Sequence, residues 1–128
     1  MANDPPRPTD AELEILTVLW SRGPSTVRDI HETISARKPT QYTTVLKTLQ
    51  IMAEKALVLR DEKQRAHVYE AARPREWTQK QLAGDLLQRA FSGSAAHLMQ
   101  GALSSRKTSK SELAELRKLL EDYEKRTR

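Results

Sequence analysis

Gln41-Tyr42-Thr43-Thr44-Val45-Leu46-Lys47-Thr48-Leu49-Gln50-Ile51-Met52 is the stretch on which the rest of the chain is organised. Wound at about 3.6 residues per turn, it sorts into two faces. Tyr42, Val45, Leu46, Leu49, Met52 and the following Ala53 share a broad apolar side suited to a core. Thr43, Thr44, Lys47 and Thr48 gather opposite, short, polar and free of any acid. Small hydroxyls and one cation fit close to phosphates and base edges in a narrow polyanionic groove. The same face also suits plain exposure to water, and the flanking segments have to decide between the two. Ile51 lies nearer the polar face than the apolar one.

Upstream, Thr9-Asp10-Ala11-Glu12 fits a capping box that opens a helix to about Ser21. Its stripe is Leu13, Leu16 and Trp20, widened by Ile15 and Leu19, and Gly23-Pro24 ends it. Thr26 and Asp29 repeat the box spacing at the head of a short helix with Val27, Ile30 and Ile34 on one side. Pro39 forces the residue before it out of helical geometry, which leaves Thr40 as the expected N-cap of the Gln41–Met52 helix. A short helix, a turn and a longer helix with a polar leading face make the helix-turn-helix layout, in which the second helix enters the major groove. After Ala56 the period changes to two. Leu57-Val58-Leu59-Arg60 and Ala66-His67-Val68-Tyr69 read as two paired strands, with Lys63 and Arg65 at a basic tip. The fold expected is mainly α, with an N-terminal winged helix-turn-helix (three helices plus a two-stranded wing) over residues 9–72, behind a proline-rich tail at residues 1–8.

From Pro74 the chain is helical again. Leu82, Leu86, Leu87, Ala90 and Phe91 form one apolar side, and Ser92-Gly93-Ser94 interrupts it. Ala95, Leu98, Met99, Ala102 and Leu103 mark a second short helix, and Leu113, Leu116, Leu120 and Tyr123 a coiled-coil-like seam on a third. Three amphipathic helices with little other core to cover are under-buried alone. Residues 73–128 therefore read as a C-terminal helical dimerisation domain, with Leu82, Leu86, Phe91, Leu98, Met99, Leu113, Leu116, Leu120 and Tyr123 as the interface. A compact helical cap on the same monomer is the other reading.

Net charge is +5, but its placement says more than its size. Residues 1–72 balance ten basic against ten acidic side chains, and the surplus lies after them, twelve against seven. Within the first part, residues 37–65 hold seven cations and three acids, which concentrates positive charge around the Gln41–Met52 helix. With no cysteine there is neither disulfide nor thiolate, and the apolar runs are far short of a membrane span. Met1–Pro6 lacks the pattern of a signal peptide, so a cytoplasmic protein is expected. His31, His67 and His97 stand apart with no partner at metal spacing, and the four glycines form no phosphate loop. Glu12 and Glu14 point in different directions on a helix and make a poor acid/base pair. No enzyme, no cofactor, no metal and no small-molecule substrate are expected.

These residues resemble the penicillinase-repressor family of the BlaI/MecI type. The resemblance runs through Pro8-Thr9-Asp10-Ala11-Glu12, Val18-Leu19-Trp20-Ser21-Arg22-Gly23-Pro24, Tyr42-Thr43-Thr44-Val45-Leu46-Lys47-Thr48-Leu49, Arg65-Ala66-His67-Val68-Tyr69, Phe91-Ser92-Gly93-Ser94 and Ser111-Glu112-Leu113-Ala114-Glu115-Leu116-Arg117. It implies a homodimeric repressor on double-stranded inverted-repeat operators of β-lactamase or related genes, hence a link to antibiotic resistance or cell-wall stress. It also implies a membrane sensor metalloprotease as partner, whose activation leads to repressor cleavage. In the family that cut falls at an Asn-Phe bond, which aligns with Gly101-Ala102 here, where neither residue is present. Copper-responsive relatives carry a C-terminal cysteine cluster, which this chain lacks.

On this reading Thr43, Thr44 and Lys47 meet bases or adjacent phosphates, at the head of a segment that also includes Gln41. Thr40, Thr48, Lys55, Lys63 and Arg65 hold the backbone, while Tyr42 is divided between a core-facing ring and a phosphate-facing hydroxyl. A dimer presents two copies of the helix to major grooves roughly one helical turn apart. Two alternatives stay open: a winged-helix module that binds protein and not DNA, and a DNA-binding regulator of an unrelated regulon.

Overall fold

The computed structural model describes residues 7–127. The expected tail at residues 1–8 and the reading of Met1–Pro6 lie outside them, Arg7 and Pro8 excepted. The element order is α1 (Asp10–Arg22), β1 (Ser25–Thr26), α2 (Val27–Ser35), α3 (Tyr42–Glu54), β2 (Val58–Asp61), β3 (Val68–Ala71), α4 (Arg75–Phe91), α5 (Ala95–Ser104) and α6 (Lys110–Arg126). The chain is mainly α and forms two compact units, Met1–Ala83 and Gly84–Arg128.

In the first unit, α1 and α2 are opened by their own side chains. Thr9 Oγ1 accepts from the Glu12 N–H and Glu12 Oε1 accepts from the Thr9 N–H, at 3.2 and 2.9 Å. Thr26 and Asp29 form the same reciprocal pair. Each box satisfies two of the amides a helix start leaves without partners. Between the helices the chain turns at Gly23, where φ is 88°, a conformation that glycine adopts without steric cost.

The core is a single apolar cluster drawn from α1, α2, α3 and the sheet with the residue before it: Ile15, Leu16, Val18 and Leu19; Val27, Ile30 and Ile34; Val45, Leu49 and Met52; and Leu57, Val58 and Tyr69. The buried face of α1 is therefore centred away from the expected stripe: Leu13 and Trp20 are only half-buried, and Val18 takes a core place. Trp20 instead spans the edge, its Nε1–H donating to the Arg73 carbonyl at 3.0 Å with the Arg75 guanidinium over its ring.

The two-stranded wing, β2 and β3, belongs to a three-stranded sheet that β1 completes. The strand order is β1-β3-β2, all antiparallel, with Ser25 opposite Tyr69 and Arg60 opposite Tyr69 on the other side. Ser25-Thr26 is both strand and helix entry. A two-residue strand has no period to read, and its partner lies 44 positions away. Being central, β3 buries Tyr69 almost completely. Both hairpin strands also lie later than expected, because the end of α3 claims Leu57. There the Leu57 N–H donates to the Met52 carbonyl at 2.9 Å and the Ala56 N–H to Ala53 at 3.2 Å, a Schellman closure with Ala56 at φ 63°. This left-handed position is one that alanine fills at a cost.

Candidate nucleic-acid interface

Helix α3 divides its residues between two environments. Val45, Leu49 and Met52 are buried, Leu46 and Ala53 pack at the core margin, and Gln41, Thr43, Thr44, Lys47 and Gln50 are exposed. The sequence holds no Asp or Glu from Thr33 to Ala53, so nothing on this helix before its last residue opposes an anion. Its first turn also lacks the acid that α1 and α2 carry in theirs, which leaves the positive end of the helix dipole uncompensated. Among the described residues, Lys47, Lys63 and Arg65 have no carboxylate within ion-pair distance.

Four of the expected contact residues have partners or surroundings within the protein that the sequence does not indicate. Thr40 is not the N-cap: Gln41 takes that position without a side-chain bond, while the Thr40 hydroxyl donates to the Lys38 carbonyl at 3.1 Å. Tyr42 leaves the core side and stands 45% exposed. Its ring meets His31 edge-on, with centroids 5.6 Å apart. Thr48 donates to the Thr44 carbonyl at 2.8 Å, so its hydroxyl proton is occupied by its own helix. Lys55 turns inward, and its Nζ lies 2.9 Å from Glu12 Oε2. Burial pushes the Glu12 carboxyl upward, but the Thr9 N–H and then the Lys55 ammonium outweigh that and hold it below its ordinary range. Lys55 thus ties α3 to α1. Ile51 remains on the open side, 38% exposed.

The wing approaches the head of α3 across a cleft of about 460 Å³, lined by Thr26, Val27, Arg28, Tyr42, Leu46, Arg65, Ala66, His67 and Tyr69. Arg65 therefore shares a cleft with Tyr42, a grouping that no spacing in the sequence indicates. Arg28 and Gln50 were not singled out by sequence reasoning at all. Arg28 looks like half of a surface pair with Glu32, which it also is at 3.2 Å, and Gln50 carries no charge to draw notice. Lys63 lies in the turn, where its N–H donates to Asp61 Oδ1 at 2.9 Å. Arg60 is engaged with Glu62 at 2.7 Å.

In the second unit no apolar side chain is buried among the described residues. Leu86, Leu103, Leu119, Leu120 and Tyr123 are exposed, and Phe91, Leu98, Met99, Leu113 and Leu116 half-buried. Leu82, at the end of the first unit, is half-buried too.

The profile of the penicillinase repressor family matches residues 8–122. The chain belongs to the penicillinase repressor family. Two curated relatives, each called "Transcriptional regulator BlaI", come from Mycobacterium tuberculosis strains CDC 1551 / Oshkosh and ATCC 25618 / H37Rv. Each is 49% identical over 61 residues, which is 47% of this chain and 44% of the relative. The match thus spans less than half of those relatives' length.

In this member of the penicillinase repressor family, Gly101 and Ala102 lie inside α5, both exposed. A Cβ at Gly101 would stand 3.6 Å from the Phe91 ring, an ordinary contact. No helix among the described residues is long and apolar enough to cross a membrane.

Proposed function

We propose that this chain is a cytoplasmic transcriptional repressor that binds an inverted-repeat DNA operator as a homodimer. The observation that carries the reading is the outer face of α3: exposed Thr43, Thr44, Lys47 and Gln50, no carboxylate, and an uncompensated helix start. Thr43, Thr44 and Lys47 read base edges or hold adjacent phosphates, Gln50 continues the same face, and Lys63 and Arg65 hold the backbone beside the groove. Family membership supports the same reading.

The dimer forms through α4, α5 and α6, since their apolar side chains are at most half-buried. Two-fold pairing suits a palindromic site, with one α3 in each of two major grooves. Control of β-lactamase or cell-wall-stress genes, and relief by a sensor protease, belong to the same proposal. Because Gly101-Ala102 sits within α5, cleavage there requires that helix to open locally first.

The test uses inverted-repeat duplexes selected from a random pool, followed by fluorescence anisotropy. Affinity for the selected duplex falls steeply as salt rises, because phosphate contacts release counterions. Lys47→Ala lowers it about tenfold or more and leaves sedimentation unchanged. Unaltered affinity would sink the assignment of α3. Failure to enrich any duplex would favour a protein-binding module instead.

A further inference from the structure

Helix α3 starts differently from its neighbours. Helices α1 and α2 close their first turns with complete capping boxes, whereas Gln41 makes no side-chain bond at the head of α3. What holds this entry comes from α2. His31 Nε2 lies 2.7 Å from the Thr40 carbonyl oxygen, and Ser35 Oγ donates to the same oxygen at 3.2 Å. A carbonyl can only accept, so the His31 proton in this bond sits on Nε2. His31 and Ser35 are four apart and share one face of α2. The His31 ring also abuts Tyr42 edge-on, at 76° between planes. One half-buried side chain thus touches the residue on each side of Gln41, and with it the whole turn into α3.

We propose that His31 is a positioning residue for DNA recognition. It fixes the first turn of α3, and so the aim of Tyr42, Thr43 and Thr44, without touching DNA itself. The inference rests on the reading of α3 as the helix that meets DNA. An uncapped first turn frays readily, and hydrogen bonds to base edges weaken steeply once distance or angle departs from a narrow range. Two donors on the Thr40 carbonyl leave the free amides of that turn unsatisfied but anchor the residue that leads into it. The sequence gives no sign of it, because His31 reads as a flank of the α2 stripe and its partners follow the Pro39 break.

Two substitutions in the full chain separate the bond from the ring. His31→Phe keeps an aromatic edge against Tyr42 and removes the donor. His31→Gln offers an amide N–H at similar reach and removes the ring. The first readout needs no DNA: amide exchange at Thr44 and Val45, whose N–H groups donate to the Gln41 carbonyl at 3.2 and 3.3 Å. His31→Phe is expected to speed exchange there about tenfold while leaving Leu49 and Met52 unchanged, and His31→Gln to restore most of the protection.

The second readout is the ratio of affinities for the selected and a scrambled duplex. It is expected to fall about tenfold in His31→Phe through loss on the selected duplex alone, and to recover in His31→Gln. Unchanged exchange at Thr44 and Val45 overturns the proposal. So does faster exchange spread evenly over the core, which marks a merely structural residue, and so does failure of His31→Gln to rescue. If exchange responds as expected but the wild-type chain prefers no duplex, the DNA reading fails while the hold of His31 on the α3 entry is supported.

Discussion

Replacing Lys55 by alanine removes the ammonium 2.9 Å from Glu12 Oε2 and strands a carboxylate whose side chain is 4% exposed. Breaking a fully buried pair from one side costs about 3–5 kcal/mol, most of it from the charge left behind. Two features reduce that here. The Lys55 side chain is 31% exposed, so water enters part of the vacated space, and Glu12 keeps the Thr9 N–H at 2.9 Å. The loss is then about 2 kcal/mol, or roughly 10 °C in melting temperature for a unit of this size. Circular dichroism melting at pH 7 measures it. Adding Glu12→Gln to Lys55→Ala removes the stranded charge and should recover about 1 kcal/mol, a coupling that a double-mutant cycle isolates. DNA affinity measured well below the transition should change by less than about twofold, since the ammonium faces α1 and not the groove. The reasoning is refuted if Lys55→Ala melts within about 2 °C of wild type while losing tenfold in affinity, for then Lys55 serves phosphate after all.

Three further outcomes are expected. Because the Glu12 carboxyl is held below its ordinary value of 4.5, its contribution to stability is present above that pH and is lost as pH falls through the folded-state value. Glu12→Gln should therefore melt with a flatter pH dependence in that acid range, and parallel curves would contradict the assignment. Ala56→Gly relieves a left-handed alanine at the end of α3 and should raise stability by about 0.5–1 kcal/mol in denaturant unfolding, less whatever glycine adds to unfolded-chain entropy. A lower midpoint would count against it. Leu120→Lys places a charge on a residue 60% exposed and should convert the dimer to monomer in sedimentation without altering the helix content. A persistent dimer moves the interface elsewhere.

What the sequence made legible is what depends on neighbours three or four positions away. Both capping boxes and the split of α3 into an apolar and a polar side follow from local spacing, and the structure has both. What stayed hidden depends on partners brought together by folding. Ser25 finds Tyr69, Lys55 finds Glu12, and His31 finds Thr40 across a turn whose geometry no periodicity encodes. Glu12 is instructive in another way. It lies three and four residues before Ile15 and Leu16, so spacing alone places it on the buried face, and the structure puts it there at 3% exposure. Tyr42 shows the reverse case, since it shares the apolar side by angle yet stands 45% exposed.

The division of labour within α3 has a further consequence. Val45, Leu49 and Met52 alternate in sequence with Thr43, Thr44, Lys47 and Gln50, yet no member of one set doubles for the other. Outward positions can therefore drift, or be redesigned, with little penalty to folding, because exposed substitutions away from caps and buried networks usually change stability by no more than about 0.5 kcal/mol. A scaffold arranged this way can acquire a new target sequence by a handful of surface changes while its interior stays fixed. If α3 meets DNA as proposed, the sequence recognised can change while the architecture that presents the reader does not.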